Sequence, residues 1–163
     1  MNKKDTKTIT NKLIDILIII GILTLSACGS KREEVSYQTV STVEKAVEIA
    51  GFPFEVPEEI ASSVLKEVNV YETDMIEVIY LNLNHHETCV VRKAKSNESD
   101  ISNNFEEYAR VEDLEMDGIY YTLKGIRSNV YLVLWRNDGY SYSLYLTKGK
   151  YQPDVIEVLK EIK

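Results

Sequence analysis

Two spacings of apolar side chains divide the chain into elements. Between residues 41 and 51 the apolar positions fall three and four apart, so that Val43, Ala46, Val47 and Ala50 share one face of a predicted helix. Ser41-Thr42-Val43-Glu44 supplies a hydroxyl N-cap with a glutamate three residues on, and Gly51 supplies the stop. Phe52-Pro53-Phe54-Glu55-Val56-Pro57 cannot extend that helix, because each proline lacks an amide donor and holds the residue before it extended. From Val64 onward the spacing changes to short β-branched and aromatic runs broken by turn residues. About seven strands are predicted, over 64–71, 75–83, 88–95, 108–116, 119–124, 130–136 and 140–146. Asp138-Gly139 is the strongest hairpin signal and Asp117-Gly118 the next, since a two-residue turn needs positive φ. The polar stretch 95–104 predicts an exposed loop, either a binding loop or a plain connection. Gln152-Pro153-Asp154 then opens an amphipathic helix with Val155, Ile156, Val158, Leu159 and Ile162 on its apolar side. Grouped strands with a helix before and a helix after predict an α+β fold: an antiparallel sheet flanked by an N-terminal and a C-terminal helix.

The beginning of the chain follows a different rule. Lys3, Lys4, Lys7 and Lys12 precede an apolar run over 16–25, broken by Gly21 and Thr24. That run is shorter than the roughly 20 residues a bilayer span requires, and Asp15 bounds it on the basic side. The order basic, apolar, small is that of a secretory signal peptide. Leu25-Ser26-Ala27-Cys28 closes it and resembles the lipobox of bacterial lipoproteins, in which the cysteine sulfur receives a diacylglyceryl group and the peptide is cut just before it. The resemblance implies a signal peptide over 1–27, lipidation of Cys28, a flexible tether over 28–38, and an extracytoplasmic domain over 39–163 held at the cell membrane. Two acyl chains matter physically, because one chain of about 14 carbons binds only reversibly.

Charge narrows the range of partners. Residues 1–27 contain 4 of the 19 lysines and arginines and 2 of the 26 acids, so the remainder carries 15 against 24, a net charge of −9. Such a surface repels a phosphate backbone and anionic head groups, which removes nucleic acid from the expected partners and leaves the lipid on Cys28 as the membrane contact. With Cys28 acylated, Cys89 lacks an intramolecular partner, and the domain is expected to hold together by core burial with Cys89 inside.

Candidate chemistry is sparse. His85-His86-Glu87-Thr88-Cys89 gathers metal-ligand types, but neighbouring strand residues point to opposite faces and the helical His-Glu-x-x-His spacing is absent, so an exposed hairpin turn accounts for it. Asp113-Leu114-Glu115-Met116-Asp117-Gly118 starts like a calcium loop, yet its twelfth position is Lys124 instead of a bidentate glutamate. Neither a metal nor a cofactor is expected. Serines are plentiful, but no Gly-x-Ser-x-Gly elbow is present and only His85 and His86 are available as bases. Eleven tyrosines and Trp135 invite a peptide- or glycan-binding reading, with Trp135, Tyr140 and Tyr142 as surface candidates beside His85 and His86. Tyr140, Tyr142, Leu144 and Leu146 share one face of the last strand, so packing also explains most of these rings.

The order of features resembles a family of Gram-positive extracytoplasmic proteins known as domain of unknown function 4367. The residues that carry the resemblance are Ala50 through Pro57, Val91-Arg92-Lys93-Ala94-Lys95 leading to Asp100-Ile101-Ser102 and Tyr108, and Leu134-Trp135 with Gly139-Tyr140-Ser141-Tyr142. Where that family usually has a glycine after the Ile-Ser pair, this chain has Asn103-Asn104. The resemblance implies the fold and the location and carries over no catalytic residue. The expected function is a membrane-anchored, non-catalytic module that binds or senses an envelope protein, peptide or glycan. The alternatives are an envelope hydrolase using His85 or His86 and a carrier of an apolar ligand such as a lipid.

Overall fold

The computed structural model describes residues 36–72 and 74–163; the apolar leader, the lipobox-like motif and Cys28 lie outside the described residues. The first strand, β1 (Tyr37–Val40), leads into helix α1 (Val43–Ala50). Eight further strands follow: β2 (Glu59–Ile60), β3 (Ser63–Tyr71), β4 (Met75–Leu81), β5 (Glu87–Ala94), β6 (Arg110–Met116), β7 (Ile119–Ile126), β8 (Asn129–Asn137) and β9 (Tyr140–Tyr151). Helix α2 (Gln152–Leu159) closes the order. Among the described residues the architecture is α+β, with nine antiparallel strands where the periodicity predicted about seven. The two additions, β1 and β2, are four and two residues long, too short to show alternation, and exist because β3 offers both of them a partner.

Helix α1 starts one residue later than the capping pattern suggested. Thr42, not Ser41, takes the extended cap conformation, and its Oγ1 accepts from the Lys45 amide at 3.2 Å. The same residue's carbonyl accepts from Ala46 N, which begins the helical ladder at Thr42. Gly51 ends the helix at φ 70°, donating its amide to the Val47 carbonyl at 2.9 Å.

The strand order is β1-β3-β4-β5-β9-β8-β7-β6, with β2 beside β3. Two meanders, β3-β4-β5 and β6-β7-β8-β9, are thus joined where β5 pairs with β9. The side of the sheet carrying Val68, Val70, Ile76, Val78, Tyr80, Cys89, Val91, Leu123, Val133 and Leu144 holds the core, covered by α1, by the Phe52–Pro57 segment and by α2. Tyr80 is completely buried there and donates its hydroxyl to the Pro57 carbonyl at 2.6 Å. Cys89 is a free, buried thiol whose ionisation burial pushes well upward, as expected for a core residue. Glu55 and Lys163 exchange both backbone hydrogen bonds, at 3.0 Å each, clasping the residues after α2 to the proline-rich segment.

The opposite face is crossed by the connection from β5 to β6. Joining neighbours of β9 and β7 that lie at different places in the sheet requires this chain to travel over the strands between them. Ser141 Oγ donates to the Glu98 carbonyl at 2.6 Å, Lys124 Nζ pairs with Asp100 at 3.0 Å, and Arg92 donates to the Ser102 carbonyl. The stretch predicted as an exposed loop is therefore a strap, largely solvent-facing but with its own Ser102 buried.

Gly125 marks a close approach in this sheet. It sits at the register shift between β7 and β8, where a Cβ would stand 2.0 Å from the Asn129 carbonyl oxygen. The nearest atoms are all backbone atoms of Asn129 and Val130, so no flexible group is there to yield. Gly125→Ala is expected to lower unfolding stability by about 1–3 kcal/mol, as overpacking does. Urea denaturation with an unchanged slope reads this directly, and a midpoint equal to wild type would contradict the close approach.

Candidate functional site

One row of cross-strand partners runs across the core face. Ile76 on β4 pairs with Lys93 on β5, Lys93 with Tyr142 on β9, Tyr142 with Trp135 on β8, Trp135 with Tyr121 on β7, and Tyr121 with Leu114 on β6. The three aromatic rings pack against one another. Trp135 stacks on Tyr142 with centroids 4.9 Å apart and planes 11° apart, and meets Tyr121 at 5.5 Å in a tilted arrangement. Such ring pairs contribute about 0.5–1.5 kcal/mol beyond their burial, enough to hold the row in one geometry.

Four members of this row, Lys93, Tyr142, Trp135 and Tyr121, floor a cleft of about 810 Å³. Met116 and Ile119 from the β6–β7 hairpin form one wall, and Ile156, Leu159 and Ile162 from α2 and the residues after it form the other. Both Asp-Gly turns stand at its mouth, because the meander places the β6–β7 and β8–β9 hairpins at the same end of the sheet. Asp117 and Gly118 have φ of 53° and 80°, Asp138 and Gly139 of 50° and 81°, the positive pair that a tight hairpin matching strand twist requires. Glu55, Lys160 and Lys163 complete the charged rim.

Lys93 is the unusual member. It is only 3% exposed, yet its register puts it on the core face, at the end of β5 nearest the cleft. Its Nζ donates to the Pro53 carbonyl at 2.5 Å and lies 4.7 Å from the Tyr140 ring centroid and 5.0 Å from that of Tyr142, with Phe52 and Phe54 at 6.0 Å. Among the described residues no carboxylate oxygen comes within 4.0 Å of it. Burial lowers its pKa, an effect that the more distant charges of Asp138 and Glu55 oppose. Ring faces stabilise a desolvated cation by about 2 kcal/mol, less than the several kcal/mol that taking an ammonium out of water costs. Tyr142, across the ladder from it, has its phenol pushed up to about 12, first by burial and then by Asp138.

The candidates read from sequence separate into two groups. Trp135, Tyr140 and Tyr142 all line the cleft, but Trp135 and Tyr142 are buried in its floor and do not form a surface patch. His85 and His86 sit exposed in the β4–β5 turn, where Asn82 Oδ1 accepts from the His86 amide at 3.2 Å. Seven residues of strand, about 23 Å at 3.3 Å per residue, separate His86 from Lys93. Among the described residues no group of three or more His, Cys, Asp or Glu side chains is placed to hold a metal ion. Asp113 accepts from the Thr122 hydroxyl at 2.8 Å within the sheet, so the calcium-like stretch is strand and hairpin.

Lys93 escaped sequence reasoning because Val91-Arg92-Lys93-Ala94-Lys95 reads as the polar end of a strand. The pleat divides these cations. Arg92 faces the strap, where Nε lies 2.7 Å from Glu77, which also accepts from Tyr71 at 2.9 Å and Asn69 at 3.2 Å. Lys93 and Lys95 face the other way and donate to the carbonyls of Pro53 and Ala50. The Glu77 cluster satisfies its own charges, whereas Lys93 has only carbonyl and ring partners.

A sign follows from the lowered pKa. Below its folded pKa Lys93 is charged in both states and folding carries the whole desolvation penalty; the penalty is shed as pH rises from that value toward the unfolded one, about 10.4. Lys93→Met is therefore expected to gain more stability relative to wild type at pH 7 than at pH 10.5, as measured by urea unfolding of both proteins at each pH. A gain that is equal or larger at the higher pH would contradict the burial of a charged ammonium.

Comparisons with protein-family models, with curated proteins and with solved structures found no match to this chain, so the resemblance to domain of unknown function 4367 rests on the residues that carry it.

Proposed function

We propose that the chain is an extracytoplasmic lipoprotein, anchored through Cys28, whose domain is a non-catalytic binding or sensing module that takes its ligand into the Trp135 cleft. The observation that carries this reading is the cleft itself: apolar and aromatic walls, a few charged groups at the rim, and one buried cation at the floor, the composition of small-ligand sites in general. Its volume lies in the 300–1,000 Å³ range typical of such sites. The arrangement favours binding over hydrolysis, since the histidines that a hydrolase reading would employ stand exposed at the far end of β5. The apolar walls also accommodate the lipid-carrier alternative as a choice of ligand within the same cleft.

Anchoring has its own test. Metabolic lipid labelling is expected to mark the wild-type protein and not Cys28→Ala, with the variant released into the medium. Label retained on the variant would remove Cys28 as the lipid site.

Binding is readable from Trp135, the chain's single tryptophan, which sits in the cleft floor. Titrating the full chain in phosphatidylcholine vesicles with short peptides, cell-wall oligosaccharides and fatty acids is expected to give a saturable change in its emission for one of these classes. Ile119→Arg, which puts a large charged side chain in the cleft wall, is expected to weaken that response at least tenfold, and His85→Ala with His86→Ala to leave it unchanged. Turnover of any of these compounds that disappears with the two histidines would replace the binding reading by the hydrolase.

A further inference from the structure

Lys93 defines what kind of ligand the cleft takes, a conclusion that rests on the binding reading above. We propose that the cleft recognises a singly charged carboxylate attached to an apolar body, with the carboxylate seated against the Lys93 ammonium and the body lying along Tyr142, Trp135 and Ile119. An ammonium has three donors, and Lys93 spends one on the Pro53 carbonyl at 2.5 Å. The remaining two face no carboxylate within 4.0 Å among the described residues, although the side chain is nearly inaccessible to water. Charges buried to this degree are ordinarily paired. An arriving carboxylate supplies the missing partner in a low-dielectric site, where a charge-assisted hydrogen bond is strongest.

The rim limits the charge of that ligand. Asp117, Asp138 and Glu55 surround the mouth, so a phosphate or other dianion meets more repulsion than a monoanion does, while Lys160 and Lys163 moderate the field at the α2 side. The walls require the body to be apolar, because Met116, Ile119, Ile156, Leu159 and Ile162 offer it no hydrogen-bond partner through their side chains. Two sources present this chemistry: a fatty acid, and the free C-terminus of a peptide with apolar side chains.

The test compares each acid with its amide, which keeps the shape and removes the charge. Trp135 emission is followed as the full chain in phosphatidylcholine vesicles is titrated with octanoate and octanamide, and with N-acetyl-Leu-Phe and N-acetyl-Leu-Phe amide. In at least one pair the acid is expected to bind tenfold or more tightly than the amide; the pair that shows the preference identifies the source. In Lys93→Met the preference is expected to vanish, acid and amide then binding within twofold of each other, with circular dichroism confirming the fold. Should that variant not fold, the wild-type acid and amide comparison still decides. Equal affinity of acid and amide would overturn carboxylate recognition and leave the cleft as a binding site. No response to any of the four compounds would overturn the binding reading along with it.

Discussion

The pairing of β5 with β9 is the constraint on which the rest of the molecule depends. Each meander on its own is a small sheet with one apolar face; hydrogen bonds from Cys89↔Leu146 through Ala94↔Ser141 make them one surface wide enough for two helices. The same pairing forces the β5–β6 connection to cross over the sheet, which creates the strap. It also aligns Lys93 with Tyr142, so that the cation of one meander meets the aromatic row of the other. A shift of one residue in this register would put Lys93 opposite a residue of the strap face and move Arg92 into the core.

Opposite treatment of neighbouring cations shows how the pleat distributes cost. Arg92 finds Glu77 and a backbone carbonyl, giving a charge pair with its remaining acceptors filled by Tyr71 and Asn69. Lys95 caps the last carbonyl of α1, which its own sequence leaves without a basic residue. Lys93 is held by one carbonyl and four rings, while its burial lowers its pKa and leaves an ammonium without a carboxylate partner at the base of the cleft. A purely structural position would be served better by methionine. The stability lost at Lys93 and the affinity expected for a carboxylate are two expressions of the same missing partner.

Much of the fold is legible along the chain because it depends on short-range rules. Alternation in β6, with Leu114 and Met116 inward and Asp113 and Glu115 outward, survives intact in the structure. The two Asp-Gly turns, Gly51 and the proline-led α2 all appear where local backbone chemistry puts them. Where local rules compete, the tertiary contacts choose: Thr42 displaces Ser41 as the cap, and β1 and β2 exist only through β3.

By itself, the sequence determined the α+β class, the sheet's hairpins and the burial of Cys89. It also singled out Trp135, Tyr140 and Tyr142 by residue type, without knowing that Trp135 and Tyr142 would be neighbours on adjacent strands. The tertiary structure alone decided which strands are adjacent, and therefore the row from Lys93 to Leu114, the meeting of both Asp-Gly turns at one mouth, and the conversion of a polar loop into a strap. Periodicity reports which face a side chain occupies; it carries no information about which strand lies beside it, because that is set by pairings between residues as much as 57 positions apart, Cys89 with Leu146.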